Sequence, residues 1–260
     1  MSNAIKLSLY TSAFNLGSGF FSIQDALKNW LKFFDEVVIA TMPCEDDTAE
    51  ILKGVESDRV KVVTMDISTE DRLYDGKLKN FSLQHCTGDI LWQLDLDERI
   101  SGEPEKVREV SRALFNSERF DSFLIESINL WGDEDYYKDF TSKWYCHKRG
   151  LFRGPAKFAI RSDGTVDTSK SDGCELIKEN GELTEAFLLR NFASLDWYLE
   201  QGLPLIVHYG WVNKENRLKL NEWWKDRWEN LNGSDRGDII LTDKDFSEKE
   251  IFEHGIKFKF

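Results

Sequence analysis

Between Ile90 and Arg99 the chain reads ILWQLDLDER. Four apolar residues in five lead into Asp95, Asp97 and Glu98, three carboxylates within four positions. Carboxylates crowded at the end of an apolar strand need something to answer their charge. Asp95 and Asp97 are one residue apart, so they share a face of an extended chain or are drawn together by a turn at its end. Hard divalent cations such as Mg²⁺ and Mn²⁺ take oxygen ligands, often one or two carboxylates plus substrate phosphates. An acidic pair of this kind can hold a metal that neutralises a diphosphate leaving group. The other reading is a solvated turn whose charges pair with Arg99 or Arg72.

The elements that must position this pair are legible upstream. Ile5 to Tyr10 alternates as a strand does, and Ser22 with Asp25 forms a capping box ahead of Ile23, Ala26, Leu27, Trp30, Leu31 and Phe34 at helical spacing. Val37 to Ala40 is a short apolar strand of the type buried on both faces of a parallel sheet. Asp46, Asp47 and Thr48 are placed to cap a helix carrying Ile51, Leu52 and Val55. Val60 to Met65 is a third strand, Lys77 to Cys86 a helix stopped by Gly88, and Ile90 to Leu94 a fourth strand. Strands alternating with helices in this way predict crossover connections and a parallel sheet. Ligands of such sheets bind beyond the carboxyl ends of the strands, which is where the acidic stretch falls.

Further along, Pro104 opens a helix with Val107, Val110, Leu114 and Phe115 on one face, and residues 121–130 read as a strand. Residues 131–205 are irregular and rich in Gly, Asp and aromatics. Pro204 to Tyr209 reads as a strand and Lys214 to Asn230 as a helix. The simplest organisation is one domain over 1–260: a first half over 1–100, a second over 101–212, and a helical extension over 213–260.

The bulk numbers limit the classes. The 260 residues allow a sizeable core, and 41% hydrophobic residues with 13% aromatics describe a globular chain. Lys plus Arg number 34 against 47 Asp plus Glu, a net charge of -13, which argues against a nucleic-acid backbone as partner. Cys44, Cys86, Cys146 and Cys174 are far apart, without zinc spacing or a disulfide framework. With no apolar leader and no long apolar run, a cytoplasmic protein is expected.

The first hundred residues resemble the family 2 glycosyltransferases, whose nucleotide-diphospho-sugar (GT-A) fold is Rossmann-like. The likeness is carried by LYTSAFN (Leu9 to Asn15), MPCEDDTAEIL (Met42 to Leu52), KLKNFSLQHCTGD (Lys77 to Asp89) and LDLDE (Leu94 to Glu98), four segments in family order. WGDEDYY, KWYCHKRGLFRG and HYGWVNKEN extend it at scattered points, resembling a bacterial and phage-associated subgroup. One departure concerns the residue that reads the uracil ring: many members carry an Asp soon after the second strand, where Thr41 and Met42 stand here. Asp46 instead matches the acidic residue at the following helix start.

The resemblance implies an α/β fold with an elaborated C-terminal half and transfer of a sugar from a nucleotide-sugar donor to a glycan or lipid-linked acceptor, with inversion. It implies that Thr11, Ala13, Asn15, Asp46, Lys77, Lys79, Asn80 and Asp95 serve the donor, and that Asp97, with His208, holds Mn²⁺ or Mg²⁺. The base that deprotonates the acceptor hydroxyl falls to Asp133, Glu134 or Asp135, ahead of Asp172 and Glu175. Each has a plainer counterpart. His208 beside Tyr209 and Trp211 also suits a hydrogen-bonded packing residue, and Lys77 and Lys79 a solvated helix face. Trp131, Trp144 and Tyr145 either stack on an acceptor sugar or fill the core. Trp223, Trp224 and Trp228 either touch the inner membrane face or dock on the protein, and docking is favoured because adjacent helical residues point roughly 100° apart.

Other classes fit less well. NLGSGFF lacks the spacing of a dinucleotide fingerprint, and the sixth loop position counted from Asp95 is Ile100 where a calcium-binding EF-hand needs Gly. A haloacid dehalogenase-type phosphatase carries its acidic motif on the first strand, and a sugar nucleotidyltransferase needs a glycine-rich phosphate loop near the N-terminus. The competing reading from another class is a transferase-like protein that binds nucleotide sugars or glycans without turnover, and Thr41 and Met42 are its best support.

Overall fold

The computed structural model of the chain describes residues 5–19, 21–71, 74–119, 122–125, 127–132, 136–138, 148–153, 156–158, 176–178, 186–188, 195–210, 212–215, 218–219, 222 and 255–257. In chain order its elements begin with β1 (Leu7–Ser12), α1 (Ile23–Trp30), β2 (Glu36–Thr41), α2 (Thr48–Lys53), β3 (Val60–Thr64), α3 (Tyr74–Gln84) and β4 (Ile90–Gln93). Next come β5 (Glu98–Ser101), α4 (Pro104–Phe115), β6 (Ser122–Ile125), β7 (Ser127–Asn129), β8 (Tyr136–Lys138) and β9 (Lys148–Arg153). The remainder are β10 (Ala156–Phe158), β11 (Leu176–Lys178), β12 (Ala186–Leu188), α5 (Leu195–Glu200), β13 (Leu205–His208) and β14 (Gly255–Lys257).

The expected α/β class is borne out. Seven strands form one sheet in the order β12-β6-β9-β4-β1-β2-β3. Within it β4, β1, β2 and β3 are mutually parallel, β9 runs antiparallel to both β4 and β6, and β12 is parallel to β6. Cα packing divides the chain into two compact units, Met1–Glu126 with Cys146–Ile206, and Ser127–Tyr145 with Val207–Phe260. The stretch expected as one strand over 121–130 holds two strands, β6 in the seven-stranded sheet and β7 in a separate three-stranded one.

In the first unit, β1 is buried at every position and β4 likewise, as central strands covered on both faces must be. Helix α1 starts at Ser22, whose hydroxyl accepts the Asp25 N–H at 3.2 Å, and buries Ile23, Ala26, Leu27 and Trp30. Helix α4 carries Pro104 in its first turn and buries Val107, Val110, Ser111 and Leu114. Its Ser111 hydroxyl accepts the Trp92 indole N–H at 3.2 Å and donates to the Val107 carbonyl at 2.7 Å, so the large indole enters the core with its polar end satisfied. Phe34 packs beside Trp92 with ring centroids 5.6 Å apart.

The amino ends of the strands are tied by carboxylates. Asp35 accepts the Leu7 N–H at 2.9 Å and takes Arg108 in a two-point contact at 2.8 and 3.3 Å. Glu36 accepts the Ser8 hydroxyl, the Thr87 N–H at 2.8 Å and the Thr87 hydroxyl at 2.9 Å. The chain passes so close to β1 here that a Cβ on Gly88 would lie 2.7 Å from the Ser8 nitrogen and 3.0 Å from the Lys6 carbonyl oxygen. Only glycine fits.

In the second unit, β8 pairs antiparallel with β14, and the Leu130 N–H donates to the His208 carbonyl at 3.0 Å, alongside buried Ile128, Trp131 and Val207. Lys214, Glu215, Leu218, Lys219 and Glu222 are helical, in the stretch expected to be a helix, with Lys219 on Glu215 at 2.7 Å. Trp223, Trp224 and Trp228 lie outside the described residues. Among the described residues no helix is long and apolar enough to cross a membrane.

Burial on its own would raise the Asp35 and Glu36 carboxyls, but the Arg108 and Leu7 contacts, and those of Ser8 and Thr87, outweigh it and hold both below their ordinary values. Groups depressed on folding contribute stability that is present above their unfolded values, about 4, and lost as pH falls through the lower folded ones. Urea unfolding from pH 7 down to pH 3 is expected to show stability declining below about pH 4.5. Glu36→Gln is expected to flatten that decline, and an unchanged slope would show that this carboxylate does not couple folding to protons.

Candidate active site

The chain leaves β1 through α1 to β2 and through α2 to β3 on one side, then returns through α3 to β4 on the other side of β1. The pair β1/β4 is thus the topological switch of the parallel strands, where the carboxyl ends of an open α/β sheet leave a crevice. Ser12 ends β1 and Gln93 ends β4, and the acidic stretch follows Gln93 directly.

The acidic stretch is a built turn. The Glu98 N–H donates to the Asp95 carbonyl at 2.9 Å, and the Glu98 carboxylate returns to accept the Asp95 N–H at 2.8 Å. Glu98 is 4% exposed, so it serves the turn backbone and not solvent. Arg99 donates to the carbonyl oxygens of Leu96 and Glu98 at 2.7 and 2.9 Å. Helix α1 holds the strand that follows: the Asn29 amide both donates to and accepts from the Ile100 backbone at 2.9 Å, and the Trp30 indole donates to the Glu98 carbonyl at 3.0 Å. The result is a fixed platform that presents Asp95 and Asp97, both half-buried.

The charge of Asp95 is answered from α3. Lys79 Nζ lies 3.0 Å from Asp95 Oδ1 and 3.2 Å from Asp75 Oδ2, with 7% of its side chain exposed. Gln93 Nε2 donates to the same Asp95 oxygen at 2.7 Å, and the Ser12 hydroxyl donates to Asp75 Oδ1 at 2.9 Å. A polar chain Ser12–Asp75–Lys79–Asp95–Gln93 therefore ties the ends of β1 and β4 through α3. Lys79 and Asp95 were expected at the donor, and Arg99 or Arg72 as partners of the turn only if it were a solvated one; Ser12, Asp75 and Gln93 were not singled out. Two signals pointed to Asp75 and Gln93: an Asp four residues before a Lys on one helix, and a Gln inside an otherwise apolar strand.

The other donor-side candidates are placed as follows. Thr11 is fully buried and Ala13 is 1% exposed, its N–H donating to the Ala40 carbonyl at 2.9 Å, while Asn15 is exposed with φ 52°. Asp46 holds the loop after β1, accepting the Gly17 N–H at 2.9 Å and the Thr48 N–H at 3.1 Å. Burial would raise this carboxyl, but the Thr48 and Gly17 contacts hold it below its ordinary value. Helix α2 takes no side-chain cap from Asp47. Lys77 pairs with Asp71 at 2.6 Å, and Asn80 is half-buried on α3. Thr41 and Met42 are buried at 5% and 3%.

His208 belongs to the second unit, where its Nδ1 lies 2.7 Å from Asn129 Oδ1. With that amide oxygen accepting, Nδ1 is the donor of the pair. Asp133, Glu134, Asp135, Trp144, Tyr145, Asp172 and Glu175 lie outside the described residues. Among the described residues no group of three or more His, Cys, Asp or Glu side chains could hold a metal ion by itself. The donors at the turn are hard oxygens, one of them already carrying Lys79 and Gln93. Hard-oxygen donors of this kind are of the type that Mg²⁺ or Mn²⁺ takes, not a softer metal.

No family model matches the chain, and no curated protein does. Among solved structures, S. aureus TarS 1-349 is 15% identical over 88% of this chain and 66% of that one, with a TM-score of 0.46. A longer S. aureus TarS structure is 14% identical over 88% of this chain and 40% of that one, with a TM-score of 0.49. Glucosyl-3-phosphoglycerate synthase from Mycobacterium tuberculosis, in complex with Mn²⁺, uridine-diphosphate and phosphoglyceric acid, is 21% identical over 48% of this chain and 43% of that one, with a TM-score of 0.32. The chain thus spans 66% or less of each of these structures.

Removing the Glu98 carboxylate leaves the Asp95 N–H without the acceptor that closes the turn. Glu98→Ala is expected to lower unfolding stability in urea by about 1–3 kcal/mol, the cost of an unsatisfied buried donor. Glu98→Gln, which keeps an acceptor oxygen, is expected to lose clearly less. Equal losses in the two variants would show that the side chain acts through its charge or its packing and not by accepting that N–H.

Proposed function

We propose that the chain is a metal-assisted glycosyltransferase, moving a sugar with inversion from a nucleotide-diphospho-sugar to a glycan or lipid-linked acceptor. One observation carries this reading: a rigid acidic turn, closed by Glu98 and clamped by Asn29 and Trp30, stands at the β1/β4 switch of a parallel sheet. That is the position at which an α/β sheet offers a nucleotide a crevice. The LDLDE resemblance supports the same assignment.

In this reading Asp97 is the chain's ligand for Mn²⁺ or Mg²⁺, which when bound neutralises the charge that develops on the diphosphate. Asp95, held by Lys79 and Gln93, accepts a hydroxyl of the nucleoside. The loop after β1, with Asn15 at its exposed end, and Asn80 on α3 flank the donor. An acceptor hydroxyl attacking the anomeric carbon must lose its proton, and one of Asp133, Glu134 and Asp135 takes it. That assignment rests on the strand the sequence places just ahead of the cluster, and that of His208 to the cation on the sequence resemblance. The spread cysteines, without a disulfide framework, support a cytoplasmic location, with peripheral contact at the membrane when the acceptor is lipid-linked.

Screening UDP-, GDP-, CMP- and dTDP-sugars with Mn²⁺ or Mg²⁺ is expected to give metal-dependent donor hydrolysis or transfer. Asp97→Ala should lower it on the order of a hundredfold or more, because metal charge stabilisation is worth several kcal/mol. Saturable binding of a nucleotide sugar without hydrolysis or transfer to any acceptor would replace the enzyme by a binding protein of the same fold.

A further inference from the structure

The loop between β1 and α1 is held from both sides around a single residue of unusual backbone. We propose that Asp46 and Thr48 are positioning residues that latch this loop and so present the Asn15 amide to the donor's nucleotide, without touching the donor themselves. This rests on the transferase reading above, and it gives Asp46 a different task from the donor contact that the resemblance implies.

Asn15 has φ 52° and ψ 40°, and among the described residues it is the one residue other than glycine with positive φ. A side chain in this left-handed region persists where its surroundings impose it, and such outliers cluster at ligand clamps and active sites. The surroundings here are specific. On the amino side, Ala13 extends the β1/β2 ladder by donating to the Ala40 carbonyl at 2.9 Å. Phe14 sets its ring edge-on to Tyr74 of α3, with centroids 5.0 Å apart. On the carboxyl side, the Leu16 N–H donates to the Thr48 hydroxyl at 2.8 Å and the Gly17 N–H to Asp46 Oδ2 at 2.9 Å. Asp46 Oδ1 accepts the Thr48 N–H at 3.1 Å, and the Thr48 side chain bonds the same carboxylate.

Two consecutive N–H groups of the loop are therefore taken by side chains two positions apart on the segment after β2. The fit is close: a Cβ on Gly17 would lie 2.9 Å from Asp46 Oδ2 and 3.1 Å from Asp46 Cβ. Burial separates the parts. Thr48 is 1% exposed and Leu16 7%, so the latch turns inward, while Asn15 is exposed just past the carboxyl end of β1. That is the crevice end of the β1/β4 switch. Both Asp46 oxygens serve backbone N–H groups, whereas the Asn15 carboxamide, able to donate and to accept, is what the loop offers a nucleotide. A ligand that meets a preformed loop is spared the ordering entropy that a loose one would take at binding.

The test measures the affinity of the purified chain for UDP, GDP, CMP and dTDP with Mn²⁺ present, and backbone amide exchange without ligand. Thr48→Val keeps the buried shape while removing the hydroxyl, and Asp46→Ala removes the carboxylate, with Asp46→Asn as the milder variant should either fail to fold. Asn15→Gly keeps a backbone free to adopt positive φ and removes the amide. Each of Thr48→Val, Asp46→Ala and Asn15→Gly is expected to weaken the nucleotide that wild type binds by roughly fivefold to tenfold, the scale of one lost hydrogen bond. Exchange at Leu16 and Gly17 should quicken in the first two, with the amides of β1 and β4 unchanged. In the Asn15→Gly background the latch variants should cost less than about twofold more, because residues acting through one contact are not additive. Full additivity, which a direct Asp46 contact with the donor gives, overturns the proposal. So does wild-type nucleotide affinity in a latch variant whose loop amides exchange faster, the result of a purely structural tie. Failure of the transferase reading appears separately, as a wild type that binds none of the nucleotides and turns over no nucleotide sugar.

Discussion

An ammonium group between two carboxylates holds the carboxyl-end edge of the parallel strands together. Lys79 rises from α3 into a sheltered position where Asp75 and Asp95 meet it, and through Ser12 and Gln93 the same contacts reach the ends of β1 and β4. Parallel strands cannot be joined by a tight hairpin, so their carboxyl ends have no covalent link nearby. The polar chain supplies one. Charge pairs of this kind contribute little net stability when exposed and are costly to break when sheltered. Their use here is geometric: three elements far apart in sequence are fixed at one corner.

The acidic turn depends on a second set of contacts that share no residue with the first except Asp95. Glu98 closes it from within, while Asn29 and Trp30 grip it from α1. Trp30 is also a core residue with no exposed surface. Packing of α1 against the sheet and placement of the acidic turn are therefore the same event. A change that shifts α1 moves the carboxylates as well.

The pattern-driven part of the fold was legible. Buried parallel strands show as short apolar runs, and α1 shows through its capping Ser22 and the spacing of Ile23, Ala26, Leu27 and Trp30, all of which recur in the structure. The acidic turn was located correctly at the end of β4, because alternation and composition both change there. Its internal wiring was not legible. The solvated-turn reading offers Arg99 or Arg72 to the turn's carboxylates, whereas Glu98 turns back to a backbone N–H and Arg99 reaches carbonyl oxygens. Both choices are made by backbone geometry. Lys79 was read as a residue near the donor because it stands on a helix beside Asn80. Its burial depends on how α3 lies over β1, which periodicity does not encode. The division of residues 121–130 between two sheets was hidden for a related reason, since β6 and β7 both carry strand-like composition and only their pairing partners tell them apart.

Neither compact unit is a continuous stretch of chain. Strand β8 at Tyr136–Lys138 finds its partner β14 only at Gly255–Lys257, with residues 139–254 between them. A nascent chain therefore exposes β8 long before its mate is synthesised, whereas β1 to β4 and their helices can assemble from the first hundred residues. The order of synthesis favours building the sheet and its acidic turn first, with the β8/β14 ribbon closing only after a long intervening stretch of chain has been made.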